Sequence, residues 1–115
     1  MKKITSAISI QQPYVELILL GKKKHELRKV RTNKQERVYL YASKTPSENK
    51  GAWKKVGMKP EELDTCKIVG SVQIVECLEK NAAGWYRYVL SDPRRLSRPK
   101  IAKNHPNPVF WKPKF

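Results

Sequence analysis

The chain has few of the residues on which metal-dependent or disulfide-rich domains rely. Its 115 residues include only two cysteines and two histidines. Cys66 and Cys77 form no Cys-x-x-Cys pair and lie in or beside an apolar strand pattern, which predicts reduced, buried thiols. A zinc site that combined both cysteines with His25 and His105 would draw its ligands from scattered elements, so the spacing argues against it. The sequence therefore indicates neither a metal nor an organic cofactor.

Long apolar runs are also absent, and the longest, Val15 to Leu20, is interrupted by a glutamate. A membrane-spanning helix needs about 18 or more apolar residues, so no membrane partner is expected. The initial Met-Lys-Lys resembles the start of a secretory signal, but Ile4 to Ile10 contains hydroxyl residues and has no clear cleavage site after it. We therefore expect a soluble cytoplasmic protein, and the length predicts one domain over residues 1–115.

Acidic residues are scarce, since 10 Asp and Glu stand against 25 Lys and Arg, for a formal net charge of +15. Most of the excess positive charge lies in two segments. Segment 22–37 has eight basic and two acidic residues, and segment 87–115 has eight basic residues and one acidic residue. A fold that joined these segments would present a basic surface to a polyanion, and nucleic acid is the expected partner. A merely lysine-rich soluble surface is the alternative, and the segregation of charge argues against it.

Strand patterns alternate with two short helical patterns along the chain. The helices are predicted over residues 13–20 and 46–56, and the strands over 3–10, 24–30, 37–43, 66–78, 85–90 and 109–112. Five to six short strands with two short helices predict an α+β fold, a small and partly closed mixed β-barrel with helices at its openings.

Turn and cap residues set the predicted boundaries of these elements. Pro13 suits a first helical position and Gly21 a left-handed stop, while Thr45 to Glu48 has the form of a capping box for the second helix. Asp92 to Arg95 predicts a turn, and residues 99–108 predict an irregular segment. Gly70, inside a strand pattern, predicts a bulge or a close backbone approach.

A compact charged motif, Gly21-x-Lys23-x-x-Glu26-x-Arg28, follows the first helix. Side chains alternate along a strand, so Glu26 and Arg28 are expected on one face, with His25 on the other. An acid and two bases are then expected to line one pocket. Because His25 faces away from that pocket, a solvated or packed histidine is favoured over a general base.

Taken together, the motifs resemble those of the ASCH domain family, which belongs to the PUA-like superfamily of small β-barrels. The resemblance rests on Ser9-Ile-Gln-Gln-Pro-Tyr14 and on the Gly-x-Lys-x-x-Glu-x-Arg motif, and it continues through residues 38–43, 68–72 and 86–93. It implies a cleft between the Gln-Pro helix and the barrel, suited to RNA, DNA or a modified nucleoside. Carried over by position, the residues of this cleft are Gln12, Pro13, Tyr14, Lys23, Glu26 and Arg28, with Ser43 and Lys44 nearby.

The residue types in this predicted cleft suit a nucleotide. Lys23 and Arg28 can pair with a phosphate, Glu26 can accept from an exocyclic amine such as cytosine N4, and Tyr14 can stack on a base. A purely structural interpretation competes, with an ion pair in the barrel wall and a tyrosine in the core. Trp85 begins the fifth predicted strand and is assigned to the core, with stacking on a base as its alternative role.

Hydrolysis is the alternative function. Some members of the superfamily remove an acyl group from a modified cytidine or are reported as ribonucleases. The amidohydrolases resemble Gly-x-Lys-Thr-x-Thr-x-Arg, and this chain has Lys24 and Glu26 at the two threonine positions, so it lacks that hydroxyl nucleophile. If the chain is an enzyme, Glu26 is expected to activate a water and Lys23 to stabilise an oxyanion. A binding cleft explains the same residues with fewer assumptions.

Basic residues outside the cleft are predicted to contact phosphates, because irregular basic segments can follow a nucleic-acid backbone without recognising its sequence. The main such segment is a lip formed by residues 94–103, with an aromatic residue close behind it. The residues predicted for the interface outside the cleft are Lys22, Arg31, Arg37, Arg87, Arg94, Arg95, Arg98, Lys100 and Lys103, with Trp111 as the aromatic residue. The sequence thus predicts a nucleic-acid-binding domain with RNA favoured over DNA.

Overall fold

The computed structural model describes residues 3–104, 106–107 and 109–115. The elements in these ranges are β1 (Ala7–Ile10), α1 (Tyr14–Leu19), β2 (His25–Arg28), β3 (Arg37–Ala42), α2 (Lys50–Val56), a 3₁₀ turn (Pro60–Glu62), β4 (Lys67–Leu78), β5 (Tyr86–Lys100) and β6 (Phe110–Trp111). The strands form one mixed sheet in the order β2-β5-β4-β3-β1-β6. The predicted α+β class, with two short helices, is confirmed, and neither helix is long and apolar enough to cross a membrane.

Pairing within the sheet explains its curled, half-barrel shape. β1 runs parallel to β3, and the other neighbouring strands are antiparallel. The two longest strands, β4 and β5, shift register three times along their pairing, between Ile68 and Gly70, Ser71 and Gln73, and Ile74 and Glu76. Each irregularity bends and twists the strands locally, so the sheet wraps around a core instead of lying flat.

The core lies between the concave face of this sheet and α1. Apolar residues on alternating sheet positions pack against the buried face of the helix, and the largest fully buried side chains include Tyr88, Ile8, Leu40, Ile74 and Ile18. Gly70 makes the helix contact close, because a Cβ there would lie 2.6 Å from the carbonyl oxygen of Arg94 and 2.7 Å from Cδ2 of Leu19. The predicted close backbone approach at Gly70 is confirmed.

The start of α2 differs from the prediction. The helix begins at Lys50 instead of Pro46, and its cap is Asn49, whose side chain accepts a hydrogen bond from the Ala52 backbone N–H at 3.0 Å. The backbone N–H of Ser47 instead donates to the carbonyl oxygen of Gln12 at 2.8 Å. This contact with the chain before α1 holds the segment outside the helix, so the predicted capping box at Thr45 is wrong.

The predicted turn at Asp92–Arg95 is also wrong, because these residues continue β5 through a bulge. Asp92 has a φ of 49°, and the pairing with β4 shifts between Ser91 and Arg94. Arg37 donates to the Asp92 carbonyl oxygen at 2.8 Å and to its carboxylate at 2.6 Å. This turn-like sequence forms a strand because β4 lies alongside and pairs with it. As a result β5 extends to Lys100, into the segment predicted to be irregular.

The two cysteines occupy different environments. Both are free thiols, with Cys77 half-buried against the core and Cys66 exposed. The prediction that both are buried is therefore wrong for Cys66, which precedes β4 with a φ of 59° where the chain turns into the strand. His105, the fourth member of the disfavoured zinc site, lies outside the described residues.

Candidate nucleic-acid interface

A cleft of about 550 Å³ opens where β1, α1, β2 and the start of β5 converge. Five of the residues predicted for it from the sequence line it together: Tyr14, Lys23, Glu26, Arg28 and Ser43. The remaining lining residues are Ser9, Ile10, Gln11, Leu27 and Trp85. The structure therefore brings together the helix start and the charged strand motif that the sequence predicts to share a pocket.

Glu26 lies at the centre of a charged cluster in this cleft. Its Oε1 is 3.4 Å from Nζ of Lys23, and its Oε2 accepts a hydrogen bond from Nε of Arg28 at 2.9 Å. Arg28 also donates through Nη2 to the carbonyl oxygen of Ser9, at 2.6 Å. The Glu26 side chain is only 10% exposed, and an ionised carboxylate that is so poorly hydrated needs such partners. With two cations to one anion, the cluster favours an anionic or electron-rich ligand.

The cluster follows directly from strand geometry. Glu26 and Arg28 occupy alternate positions of β2, so both point to the cleft, while the exposed His25 faces the other way. Glu26 pairs in register with Tyr88, whose buried hydroxyl donates to the carbonyl oxygen of Val30 at 2.6 Å. Burial raises the pKa of Tyr88, and its hydrogen bond holds the chain just after β2 in place.

Two aromatic side chains form walls of the cleft. Nζ of Lys23 lies 5.4 Å from the ring centroid of Tyr14, and Nζ of Lys29 lies 4.1 Å from that of Trp85. Both rings are only partly buried, so Trp85 is a cleft residue and its assignment to the core is wrong. Side-chain alternation could have predicted this place for Trp85, because residues 85 and 88 point to opposite faces and Tyr88 is the fully buried ring.

Gln11, and not Gln12, contributes to the cleft. Gln12 is 2% exposed, its Nε2 donates to the carbonyl oxygen of Asp64, and its Oε1 accepts from the backbone N–H of Glu16, both at 3.1 Å. It therefore fixes α1 to the loop before β4, and its predicted place in the cleft is corrected. The sequence does not predict Gln11 because the chain leaves β1 there, and the side-chain alternation of the strand no longer applies.

A second depression, of about 470 Å³, adjoins the cleft and shares Tyr14, Lys23 and Leu27 with it. We call it the basic groove. Its other described lining residues are Leu17, Lys22, Lys24, His25, Gly51, Ala52, Lys55 and Arg87, and no Asp or Glu is among them. The sequence predicts Lys22 and Arg87 for the interface on charge alone, and it does not assign Lys24 or Lys55 to it. Of the basic segment 87–115, only Arg87 lines the groove beside the lysines of segment 22–37.

Several other predicted phosphate contacts are paired with carboxylates of the protein itself. Arg31 lies 2.5 Å from Glu79, while Arg37 and Arg94 share Asp92 at 2.6 and 2.8 Å. Hydrogen bonding with its carboxylate partner raises the pKa of Arg31. These pairs neutralise part of the charge that the composition alone suggests is available to a ligand.

Arg95 has a different partner from its neighbour Arg94. Its Nη1 and Nη2 donate to the two carboxylate oxygens of Glu16, each at 2.8 Å, and this hydrogen bonding raises the pKa of Arg95. Glu16 is buried on α1, so the pair joins the helix to β5. A structural role in joining α1 to β5 therefore explains Arg95 without requiring a phosphate contact.

The rest of the predicted lip is exposed except for its aromatic member. Arg98, Lys100 and Lys103 are solvent-exposed and lie outside the cleft and the basic groove. Lys44, predicted near the cleft, is also exposed and does not line it. Trp111 is only 4% exposed and packs edge-to-face on Tyr41, with ring centroids 5.2 Å apart. A ring held in the core is not available to a base, so the predicted place of Trp111 in the interface is corrected.

The curled mixed sheet, the two short helices and the cleft beside α1 define a small PUA-like domain. A sequence profile of the ASCH domain matches residues 8–90. The chain therefore belongs to the ASCH domain family, which is associated with RNA binding.

A solved structure agrees with this fold. The crystal structure of ASCH from Zymomonas mobilis superposes with a TM-score of 0.62 at 13% sequence identity, covering 93% of this chain and 85% of that one. At this identity the likeness supports the fold alone. No curated protein matches the chain.

Proposed function

We propose that this chain is a nucleic-acid-binding domain that takes RNA in preference to DNA. The observation that supports it most directly is the cleft in which the Lys23, Glu26 and Arg28 cluster lies between the rings of Tyr14 and Trp85. An aromatic face can stack on any base, a carboxylate accepts from an exocyclic amine, and the cations attract phosphate. The association of the family with RNA favours RNA over DNA. The same cleft would suit a modified nucleoside.

Binding is expected to weaken steeply as salt is raised, because each phosphate that the protein neutralises releases counterions. For a single strand the slope of log K against log salt is about −0.7 per phosphate contacted. Fluorescence anisotropy with labelled single-stranded RNA, double-stranded RNA and DNA of one sequence, from about 50 to 200 mM salt, measures both the slope and the preference. Affinity that stays constant across this range would contradict the proposal.

Replacing Glu26 with glutamine is expected to change the preference among bases more than the overall affinity. The change replaces the anionic acceptor with a neutral amide of the same size, so the loss should fall on cytosine, whose N4 amine pairs with a carboxylate, at about 1–3 kcal/mol for a well-placed contact. Adenine should lose less, because an amide can pair with its N6 and N7. Competition between poly(C), poly(A) and poly(U) measures it. Glu76→Gln, at an exposed position of β4, is the matched control. An unchanged order of preference would show that Glu26 does not contact the base.

A hydrolase is the second candidate, because Nζ of Lys23 lies 3.4 Å from the Glu26 carboxylate in a cleft that also contains Ser43. A glutamate that activates water beside a lysine that stabilises an oxyanion is a chemically sufficient pair. Incubation with short RNA and with acylated cytidine, followed by product analysis, tests it. Turnover that is lost in Lys23→Ala would establish catalysis, and intact ligand throughout would exclude it for these substrates.

A further inference from the structure

We propose that the basic groove holds the sugar–phosphate backbone of the strand whose base occupies the cleft, so that the ligand is a single-stranded RNA segment and not an isolated nucleoside. This inference rests on the function proposed above and extends it. It assigns a ligand-contacting role to Lys24 and Lys55, which the sequence pattern does not place in the interface.

Continuity between the two depressions is the first argument. Tyr14, Lys23 and Leu27 line both the cleft and the basic groove, so no other element separates them. A base stacked on Tyr14 remains bonded to its sugar, and the neighbouring phosphates must therefore leave the cleft across its rim. Along the rim formed by these shared residues, the backbone would run directly into the groove.

The charge of the groove is the second argument. Lys22, Lys24, Lys55 and Arg87 line it, and its described lining contains no carboxylate. This differs from Arg31, whose charge is paired with Glu79 in the folded protein. Cations that are free of local carboxylates make stronger electrostatic contacts with a polyanion, because the ligand does not have to displace an internal partner.

Arg87 supplies a third observation. Its Nε is buried and has no hydrogen-bond partner among the described residues, although buried polar groups are nearly always paired. That atom has almost no accessible surface and is not itself a ligand contact, but the Arg87 side chain lines the groove and ends in the group best suited to phosphate. Arg87 lies opposite Leu27 in the β2–β5 ladder, which places it beside the rim shared with the cleft.

A duplex does not fit this arrangement. A base within a duplex is stacked and paired, and it reaches a protein cleft only after leaving the stack, whereas the bases of a single strand are already accessible. The combination of a base-sized cleft and a cationic groove beside it therefore favours single-stranded RNA over double-stranded RNA.

The test compares two charge reversals on the same exposed turn of α2. Lys55 lines the groove and Lys54 does not, yet both are exposed in the last turn of the helix, so Lys55→Glu and Lys54→Glu change the net charge and the helix end equally. Anisotropy with a labelled single-stranded RNA hexamer is expected to show roughly a tenfold loss for Lys55→Glu and a much smaller loss for Lys54→Glu. The salt slope should fall by about 0.7 only for Lys55→Glu. Thermal denaturation confirms that both variants are folded.

Three outcomes would overturn the inference. Equal losses in the two variants would exclude the groove, and the base preference of Glu26→Gln would still report separately on the cleft. A free nucleoside that binds the wild-type protein as tightly as the hexamer would show that no backbone contact contributes. Duplex RNA that binds as tightly as the single strand would exclude the single-strand assignment. Failure of the wild-type protein to bind any nucleic acid would remove the proposed function itself.

Discussion

Replacing Gly70 with alanine is expected to lower the free energy of unfolding by about 3 kcal/mol, at the upper end of the usual cost of overpacking. The new Cβ would lie 2.6 Å from the Arg94 carbonyl oxygen and 2.7 Å from Cδ2 of Leu19. The leucine methyl gives way partly by rotating and partly through a shift of α1, and the carbonyl, which belongs to the β4–β5 ladder, moves only if the strands separate. Urea denaturation measures the change, and Val75→Ala, on the same strand with a side chain that is 40% exposed, is the control with a small expected effect.

The same substitution is expected to weaken ligand binding, because Leu19 and Tyr14 lie at opposite ends of α1. A helix pushed away from Gly70 carries Tyr14 out of the cleft. RNA affinity measured well below the midpoint of thermal unfolding separates this effect from loss of fold. A variant with unchanged stability would show that the sheet accommodates the methyl group and that the contact between α1 and Gly70 is looser than described.

Replacing Arg95 with methionine is expected to lower the free energy of unfolding by about 2–3 kcal/mol. The substitution leaves the buried Glu16 carboxylate without its two 2.8 Å hydrogen bonds. Breaking a fully buried pair costs about 3–5 kcal/mol, and the 51% exposure of the Arg95 side chain reduces that figure through solvent screening. Chemical denaturation measures the loss, with Arg94→Met as the matched control, because Arg94 pairs with the half-exposed Asp92 and should contribute about 1 kcal/mol or less.

A double-mutant cycle makes the Arg95 prediction specific to this pair. Glu16→Gln combined with Arg95→Met removes both charges, so the double variant should be more stable than the sum of the single losses indicates. Strictly additive losses would show that the two side chains do not interact in solution. Because Arg95 stabilises the fold, weaker RNA binding by its variants counts as evidence for a phosphate contact only where the protein is shown to be folded.

The charged cluster could be predicted from the sequence because it is local. Lys23, Glu26 and Arg28 lie within six residues, and strand alternation alone brings the last two onto one face. The close approach at Gly70 could also be predicted, because a glycine weakens a strand interior and is expected there only where a bulge or a neighbouring group requires it. Short-range geometry therefore determines the part of the cleft that β2 contributes.

Features that depend on distant partners could not be predicted in this way. The Asp92–Arg95 segment has turn chemistry, and it forms a bulged strand only because β4 and Arg37 offer it partners. Trp111 is a core residue through its contact with Tyr41, which lies on another strand. Lys55 joins the basic groove because α2 packs beside α1, and no local pattern in the sequence records that contact.

The position of the cleft between β1 and β2 determines how binding of a ligand there can be detected. In the described ladders β2 pairs with β5, and β1 pairs with β3 and β6, so the cleft lies at a seam between two strands with different ladder partners. The hydrogen bond from Arg28 to the Ser9 carbonyl oxygen crosses this seam through a side chain. A ligand that contacts both β1 and β2 would add non-covalent contacts between them. Such a ligand stabilises the folded state, and the stabilisation grows with the ligand concentration relative to Kd. The melting temperature of the domain is therefore a label-free indicator of whether the seam is filled.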